Sequence, residues 1–295
     1  MTQYLYPESL DETLTFLEMG KGKARILAGG TDLMTDIRKG SLRPETIIDI
    51  THVAELGQIE IKPGFLTIGP AVSFAVIKSH PFLKDHVAVL SQAAASIGAG
   101  GIQQTATLAG NIVQAMPAAD GAVAALALEA QALVCSPQEK QWIPIHELYQ
   151  GPGKSAVDPT KELISAIRFP IPQSGEKWGT AWQRIGRRAA LILPIMNCAV
   201  KIHFDNSGGD SSISKALIAL GPAGAVPFTA VKAAHYLIGR EPDQKTFTRA
   251  GRLAGEEAQP RSSPLRASKE YRQKIIPVLV RDALLAAVKQ STVIP

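Results

Sequence analysis

Paired glycines interrupt the segment ARILAGGTDLMTDIRKG, which covers residues 24–40. An apolar strand that breaks at Gly29 and Gly30 and continues as a helix exposes bare backbone N–H groups at the helix start. Such groups, together with the helix dipole, bind the pyrophosphate of a nucleotide, and a β-carbon at either glycine would keep the phosphate oxygens too far away. A tight turn without a ligand explains the same residues, because the run has neither the three spaced glycines of a dinucleotide fingerprint nor a P-loop.

A second glycine-bearing turn, TLAGNIVQAMPAAD, carries Thr107, Gly110, Asn111 and Asp120. A hydroxyl, a small residue, an amide and a carboxylate suit the polyol of a nucleotide cofactor, because a carboxylate accepts hydrogen bonds from sugar hydroxyls. Each polar residue also has an ordinary interpretation, Asn111 as a turn residue and Asp120 as the N-cap of the helix that follows. Two such turns in one chain favour a nucleotide-cofactor site.

Local patterns predict the elements that hold these turns. Ser9 and Glu12 have capping-box spacing for a first helix, ARIL and ETIIDI predict buried strands, and TDLMTDIRKG predicts a helix. QIEIKPGFLTIG predicts a hairpin, and the helical stretch after it is interrupted at Pro81. Beyond the second turn, the sequence predicts a small-residue helix, a strand, and a further strand, ELISAIRFP, which ends at Pro170.

The remainder of the chain predicts a separate unit, with Pro170 and Pro172 at its boundary. WGTAWQRIG, IMNCAVKIHF and SKALIALG predict three antiparallel strands, and DNSGGDSS predicts the loop between the last two. PFTAVKAAHYLIG, a stretch near Lys245 to Ala258, and SKEYRQKIIPVLVRDALLAAVK predict helices. The fold class is therefore α+β, in three parts with predicted bounds 1–56, 57–175 and 176–295.

Composition excludes several classes of protein. The 295 residues carry a net charge of +5 and only 5% aromatic residues, a pattern that argues against nucleic-acid binding. Cys135 and Cys198 are too few to ligate an iron–sulfur cluster, and the six histidines lack metal-ligand spacing. The longest apolar run is too short to span a bilayer and no signal-peptide pattern is present, so we expect a cytoplasmic chain without a membrane span.

The paired turns also resemble a known family. ILAGGTDL followed by TLAGNIVQAMPAAD is similar to the FAD-binding (medium) subunit of the molybdenum hydroxylases, which include bacterial xanthine, nicotinate, quinoline and carbon monoxide dehydrogenases. The resemblance covers essentially the whole chain and includes ELISAIRFP and LRASKEYR. It implies a two-part FAD-binding domain of the vanillyl-alcohol-oxidase/PCMH type, followed by a C-terminal antiparallel sheet with helices.

The resemblance implies FAD contacts residue by residue. Residues 26–33 would wrap the pyrophosphate through backbone N–H groups, and the turn at 107–111 would meet the pyrophosphate and ribitol. Ile97 would lie beside the flavin, Asp120 would bind sugar hydroxyls, and Ile164 would pack near the adenine. The implied cofactor-binding set is Ile26, Leu27, Ala28, Gly29, Gly30, Thr31, Asp32, Leu33, Ile97, Thr107, Gly110, Asn111, Asp120 and Ile164.

By the same resemblance, a large partner subunit hydroxylates substrate at a molybdopterin centre. Electrons then pass through the [2Fe–2S] clusters of a small subunit to FAD in this chain, and on to NAD⁺, a quinone or oxygen. The cofactor carries that chemistry, so no catalytic residue and no metal ligand are expected here. A self-contained FAD-dependent oxidase and a flavin-free scaffold stay open as alternatives.

The chain departs from the family pattern at some positions. Ala109-Gly110 stands where Gly-Gly is common in the family. Trp182 stands where the family often has a Tyr followed by a Lys, so no cofactor contact is predicted at Trp182. The intact glycines argue against a scaffold, which has no use for bare backbone at both turns. Gly29→Val is predicted to abolish flavin retention while leaving the domain folded.

Overall fold

In this computed structural model, residues 2–188, 193–205 and 212–293 are described, and within them the chain forms three sheets and one two-stranded hairpin. The sheets follow one another along the sequence, with helices between their strands. The predicted α+β class is confirmed.

The first sheet is parallel, in the order β1-β3-β2. Its elements are β1 (Gln3–Leu5), α1 (Leu10–Met19), β2 (Ala24–Leu27), α2 (Leu33–Arg38) and β3 (Thr46–Asp49). The Ser9 hydroxyl caps α1 by accepting from the Glu12 N–H at 3.1 Å, as the capping-box spacing predicts. Leu14 and Leu17 of α1 are buried, so this helix covers one face of the sheet. The first glycine turn joins β2 to α2.

The second sheet is antiparallel, in the order β4-β5-β10-β6-β7. Its strands are β4 (Ile59–Lys62), β5 (Phe65–Ile68), β6 (Gln131–Cys135), β7 (Lys140–Pro144) and β10 (Leu163–Pro170), and a separate hairpin pairs β8 (Tyr149–Gly151) with β9 (Lys154–Ser155). The helices are α3 (Phe74–Ser79), α4 (Pro81–His86), α5 (Ala88–Ser96), α6 (Gly100–Thr105), α7 (Leu108–Val113) and α8 (Asp120–Ala127). The predicted 59–68 hairpin and the break at Pro81 are both confirmed.

The second glycine turn is helical, and the prediction of a loop there is wrong. Thr107 is the N-cap of α7, and its hydroxyl accepts from the Gly110 N–H at 3.1 Å. The threonine cap and the burial of Leu108 and Ile112 outweigh the low helix propensity of Gly110 and Asn111.

The third sheet is antiparallel, in the order β14-β13-β12-β11-β15. Its elements are β11 (Lys177–Ile185), β12 (Met196–Phe204), β13 (Ile213–Gly221), β14 (Phe228–Thr229), α9 (Val231–Leu237), α10 (Gln244–Glu257), α11 (Lys269–Lys289) and β15 (Thr292–Val293). The three predicted strands and three predicted helices are confirmed, although α9 starts late because Phe228–Thr229 pairs with β13 instead. Most of the predicted DNSGGDSS loop lies outside the described residues.

The third sheet shares a core with the second part of the chain. Trp178 and Trp182 of β11 are buried in the same apolar cluster as α5 and α8. Lys201 of β12 is 1% exposed, and its ammonium lies 2.7 Å from the Glu129 carboxylate, which follows α8. This shared core includes residues on both sides of the predicted bound at 175. The domain bounds at 56 and 175 stay a prediction.

Candidate functional site

A cavity of about 850 Å³ lies between the first sheet and the second part of the chain. Its wall is formed by the β2–α2 turn, the segment from α6 to α7, the β8–β9 hairpin and the start of β10. This volume falls within the range of small-molecule and cofactor sites. The two glycine turns predicted from the sequence therefore face one cavity.

The first turn approaches the α6–α7 junction so closely that a side chain does not fit. A β-carbon at Gly29 would overlap the Thr105 carbonyl oxygen and the Ala106 Cα atom, and Gly30 has a φ of +67°. Gly29 therefore joins the two turns by backbone packing. For this reason Gly29→Val does not leave the fold intact, and the expectation that it would is wrong.

The start of α2 borders the cavity. Thr31, Asp32 and Leu33 line the cavity, and the first N–H groups of a helix have no partner within it. Asp32 occupies the N-cap position, but its side chain makes no capping hydrogen bond. Burial raises the pKa of the Asp32 carboxyl, and the neighbouring Asp36 raises it further. The Asp32 carboxyl is therefore not engaged in capping α2.

Gly110 and Asn111 present the second turn. Gly110 lines the cavity and is exposed, and a β-carbon there would approach only the Thr107 hydroxyl, at 3.3 Å. The side-chain oxygen of Asn111 accepts from the Ala122 N–H at 3.0 Å, which ties α7 to α8. Packing thus explains Gly29, whereas at Gly110 the missing side chain leaves room for a ligand.

Most of the predicted site residues meet at this cavity. Those that line it are Ile26, Ala28, Gly29, Gly30, Thr31, Asp32, Leu33, Ile97, Thr107, Gly110, Asn111 and Ile164. Leu27 does not line it, and its side chain packs against Gly30 instead, where an added β-carbon would lie 2.6 Å from Leu27 Cδ1.

Asp120 lies outside the cavity wall, at the junction with the third sheet. Its carboxylate is 2.5 Å from Asn197 Nδ2 and 3.3 Å from Arg184 Nε, and it also bonds to the Ser96 hydroxyl. Burial raises the pKa of this carboxyl to about 6, although Arg184, Asn197 and Ser96 favour its ionised form. Asp120 does not line the larger cavity, and its implied contact with sugar hydroxyls stays a prediction.

A smaller cavity of about 640 Å³ adjoins the first. Ser96 lines the smaller cavity, and its chain neighbour Ile97 lines the larger one. Arg184 and Trp182 also line it, and both come from β11. Trp182 Nε1 is buried and has no hydrogen-bond partner among the described residues. In the sequence, Trp182 departs from the family pattern, while the W-x-R-x-x-x-R spacing of Trp182, Arg184 and Arg188 resembles it.

Sequence reasoning missed the β8–β9 hairpin, which contributes Gln150, Gly153, Lys154 and Ser155 to the larger cavity. The run YQGPGKS contains the Gly and Pro residues of a turn, and that was the available signal. Nothing local in the run connects it to a site made by residues far away in the sequence.

Comparison with known proteins identifies the family. Residues 1–172 match the family described as "FAD binding domain in molybdopterin dehydrogenase", and residues 182–287 match "CO dehydrogenase flavoprotein C-terminal domain". The chain therefore belongs to the FAD-binding subunits of molybdopterin-dependent dehydrogenases. It is an FAD-dependent oxidoreductase subunit of the xanthine dehydrogenase family.

Individual relatives agree with this assignment. The xanthine dehydrogenase FAD-binding subunit of Escherichia coli O157:H7 is 30% identical over 90% of this chain and 89% of that protein. The carbon monoxide dehydrogenase medium chain of Afipia carboxidovorans is 26% identical over 95% of this chain and 94% of its own. A solved structure, reconstituted CO dehydrogenase from Oligotropha carboxidovorans, superposes with a TM-score of 0.87 at 26% identity, covering 98% of both chains.

The residues present fit FAD. Bare backbone at Gly30 and Gly110 faces a cavity of cofactor size, and apolar side chains such as Ile97 and Ile164 border it. Within the described part of the chain, no group of three or more His, Cys, Asp or Glu residues could hold a metal ion. No helix among the described residues is both long and apolar enough to cross a bilayer.

Proposed function

We propose that this chain is the electron-transfer subunit of a multi-subunit molybdenum hydroxylase and holds FAD in the larger cavity. The observation that carries the proposal is the meeting of the two glycine turns at one cavity wall. Backbone N–H groups of residues 29–33 bind the pyrophosphate, and Gly110 allows the cofactor to approach α7. Ile97 lies beside the flavin, and Ile164 packs near the adenine.

FAD supplies the redox chemistry when bound, taking electrons from partner [2Fe–2S] clusters and giving them to NAD⁺, a quinone or oxygen. The residues of this chain bind and orient the cofactor. The bare backbone of the two turns fixes the diphosphate, and the Ile97 side chain excludes water from one side of the ring. No residue of the chain transfers a proton in this proposal.

Its partners are a large molybdopterin subunit and a small [2Fe–2S] subunit, and the complex works in the cytoplasm. The relatives that support this are named as a subunit and as a medium chain. Both cysteines of this chain, Cys135 and Cys198, are free and buried, so iron–sulfur clusters belong to another subunit.

Gly110→Val tests the placement of the cofactor. The valine side chain would project toward the space that the cofactor needs, so FAD affinity of the purified chain is expected to fall at least about tenfold. Gly101→Val is the matched control, because Gly101 is also an exposed glycine in a six-residue helix, with open space around its β-carbon, and it does not line the cavity. Flavin fluorescence quenching gives both affinities, and thermal melting shows that both variants fold.

Equal FAD affinity of the Gly110→Val and Gly101→Val variants would overturn this placement. Failure of the unaltered chain to bind flavin, alone and when purified with its partners, would favour the flavin-free scaffold instead.

A further inference from the structure

The larger cavity has two chemically different ends, on either side of α7. Near the N-terminus of α7, apolar residues border it, including Phe74, Ile97 and Ile102. Beyond the C-terminus of α7, the β8–β9 hairpin borders it, and the Gly153 N–H donates to the Ala115 carbonyl at 2.9 Å. A helix of this length rises about 9 Å, so α7 separates the two ends.

The apolar end suits the flat isoalloxazine ring, and the hairpin end suits the adenosine. Leu163 and Ile164 line the cavity beside the hairpin. Within the hairpin, Gln150 and Ser155 also line it, and both carry polar groups. Ribose hydroxyls and adenine nitrogens need such hydrogen-bonding partners, whereas the ring requires apolar contact. FAD in this orientation carries its adenylate phosphate toward the hairpin.

Two cations, Arg25 and Lys154, line the cavity, and of these two the Lys154 ammonium makes no intramolecular hydrogen bond within the described residues. Asp32 and Asp36 line the cavity and repel an anionic diphosphate. Arg25 also lines it, but its Nη1 already donates to the Gly22 and Ala24 carbonyls. The Lys154 ammonium forms no hydrogen bond or ion pair with any residue in the described ranges.

The hairpin holds Lys154 in place while leaving its ammonium exposed. The Ala156 N–H donates to the Leu148 carbonyl at 2.8 Å, and the Ser155 hydroxyl accepts from the Val157 N–H at 3.2 Å. These two bonds fix the C-terminal end of β9, and the bond from the Gly153 N–H to the Ala115 carbonyl fixes the residue that precedes it. The side chain therefore has a fixed base and a free charged end.

We propose that the β8–β9 hairpin is the part of this chain that selects a dinucleotide flavin, with Lys154 binding the adenylate phosphate. The inference rests on the proposed function, since it assigns the adenosine half of the same FAD site. FMN lacks that half and does not reach the hairpin. The hairpin thus distinguishes FAD from FMN, and Lys154 provides the charge that offsets Asp32 and Asp36.

The test compares Lys154→Gln with Lys161→Gln in the full-length chain. Lys161 is exposed and does not line the cavity, so it is a matched control for the loss of one surface charge. Calorimetry with ADP and FAD is expected to show affinities about tenfold weaker for Lys154→Gln, with FMN affinity unchanged. Lys154→Arg keeps the charge and should retain most of the ADP affinity. The unaltered chain should lose more ADP affinity with added salt than Lys154→Gln does.

Unchanged ADP and FAD affinities in Lys154→Gln, with FAD binding intact in the unaltered chain, would overturn this inference alone. An equal loss of FMN affinity would also overturn it, because Lys154 would then contact the flavin half. Absence of FAD binding in the unaltered chain would overturn the proposed function together with the inference.

Discussion

Gly29 and Gly110 both lie in glycine turns, but the structure gives them different surroundings. At Gly29 the backbone of another segment occupies the place of a side chain, whereas at Gly110 only the Thr107 hydroxyl is near. The sequence favours bare backbone at both positions, because two glycine turns with polar neighbours occur in one chain. It cannot distinguish packing from ligand contact, since that depends on which distant atoms face each glycine.

Asp120 shows a second limit at the residue scale. Its partners Ser96, Arg184 and Asn197 come from three other elements, so no local pattern places them together. The resemblance implies a ligand contact at this position, and the structure adds a buried network that ties the carboxylate to the third sheet.

The pKa of Asp120 predicts a pH effect on stability. Burial raises the pKa in the folded state to about 6, from 3.8, so the folded state retains a proton that the unfolded state has lost. The contribution of this group to the free energy of unfolding is therefore present below about pH 4 and is lost as pH rises toward 6, by about 2–3 kcal/mol.

Urea denaturation of the unaltered chain and of Asp120→Asn at several pH values checks this. The free energy of unfolding of the unaltered chain, minus that of the variant, should fall between pH 4 and 6 and stay level above. A difference that is constant across this range would contradict the assigned pKa.

At the scale of elements, capping and periodicity predict most of the strands and helices around the site. The Ser9 cap and the β2 strand are local signals, and the structure confirms both. The helix α7 was missed because Gly110 and Asn111 suggest a turn, while the burial of Ile112 against distant residues decides for a helix. The same dependence on distant contacts hides the hairpin at the cavity.

The junction between α8 and the third sheet predicts an unequal response to mutation. Glu129 lies 2.7 Å from Lys201 and 2.6 Å from Lys215, but only Lys201 is buried. Glu129→Gln leaves a buried ammonium unpaired and should cost about 3 kcal/mol, whereas Lys201→Met removes that charge and should cost less.

Lys215→Met is the control for this junction, because its side chain is 50% exposed and the change should be nearly neutral. Chemical denaturation of the three variants measures the order. A smaller loss of stability in Glu129→Gln than in Lys201→Met would contradict the description of the buried pair.

At the scale of the whole molecule, the first and second parts of the chain border the proposed cofactor site, and the second and third parts share a core. The first sheet supplies the β2–α2 turn, and the second part of the chain supplies α7 and the hairpin. Through Arg184 and Trp182, the third sheet lines the adjoining smaller cavity. Within the described part of the chain, the residues that border the proposed flavin site therefore all precede the third sheet.

The most direct test of the account is the flavin content of the purified chain. The chain is denatured, and any released flavin is identified by absorbance and mass, before and after incubation with FAD. The account predicts FAD at about one per chain, with no FMN. No flavin after reconstitution, both for the chain alone and for the chain purified with its partners, would contradict it.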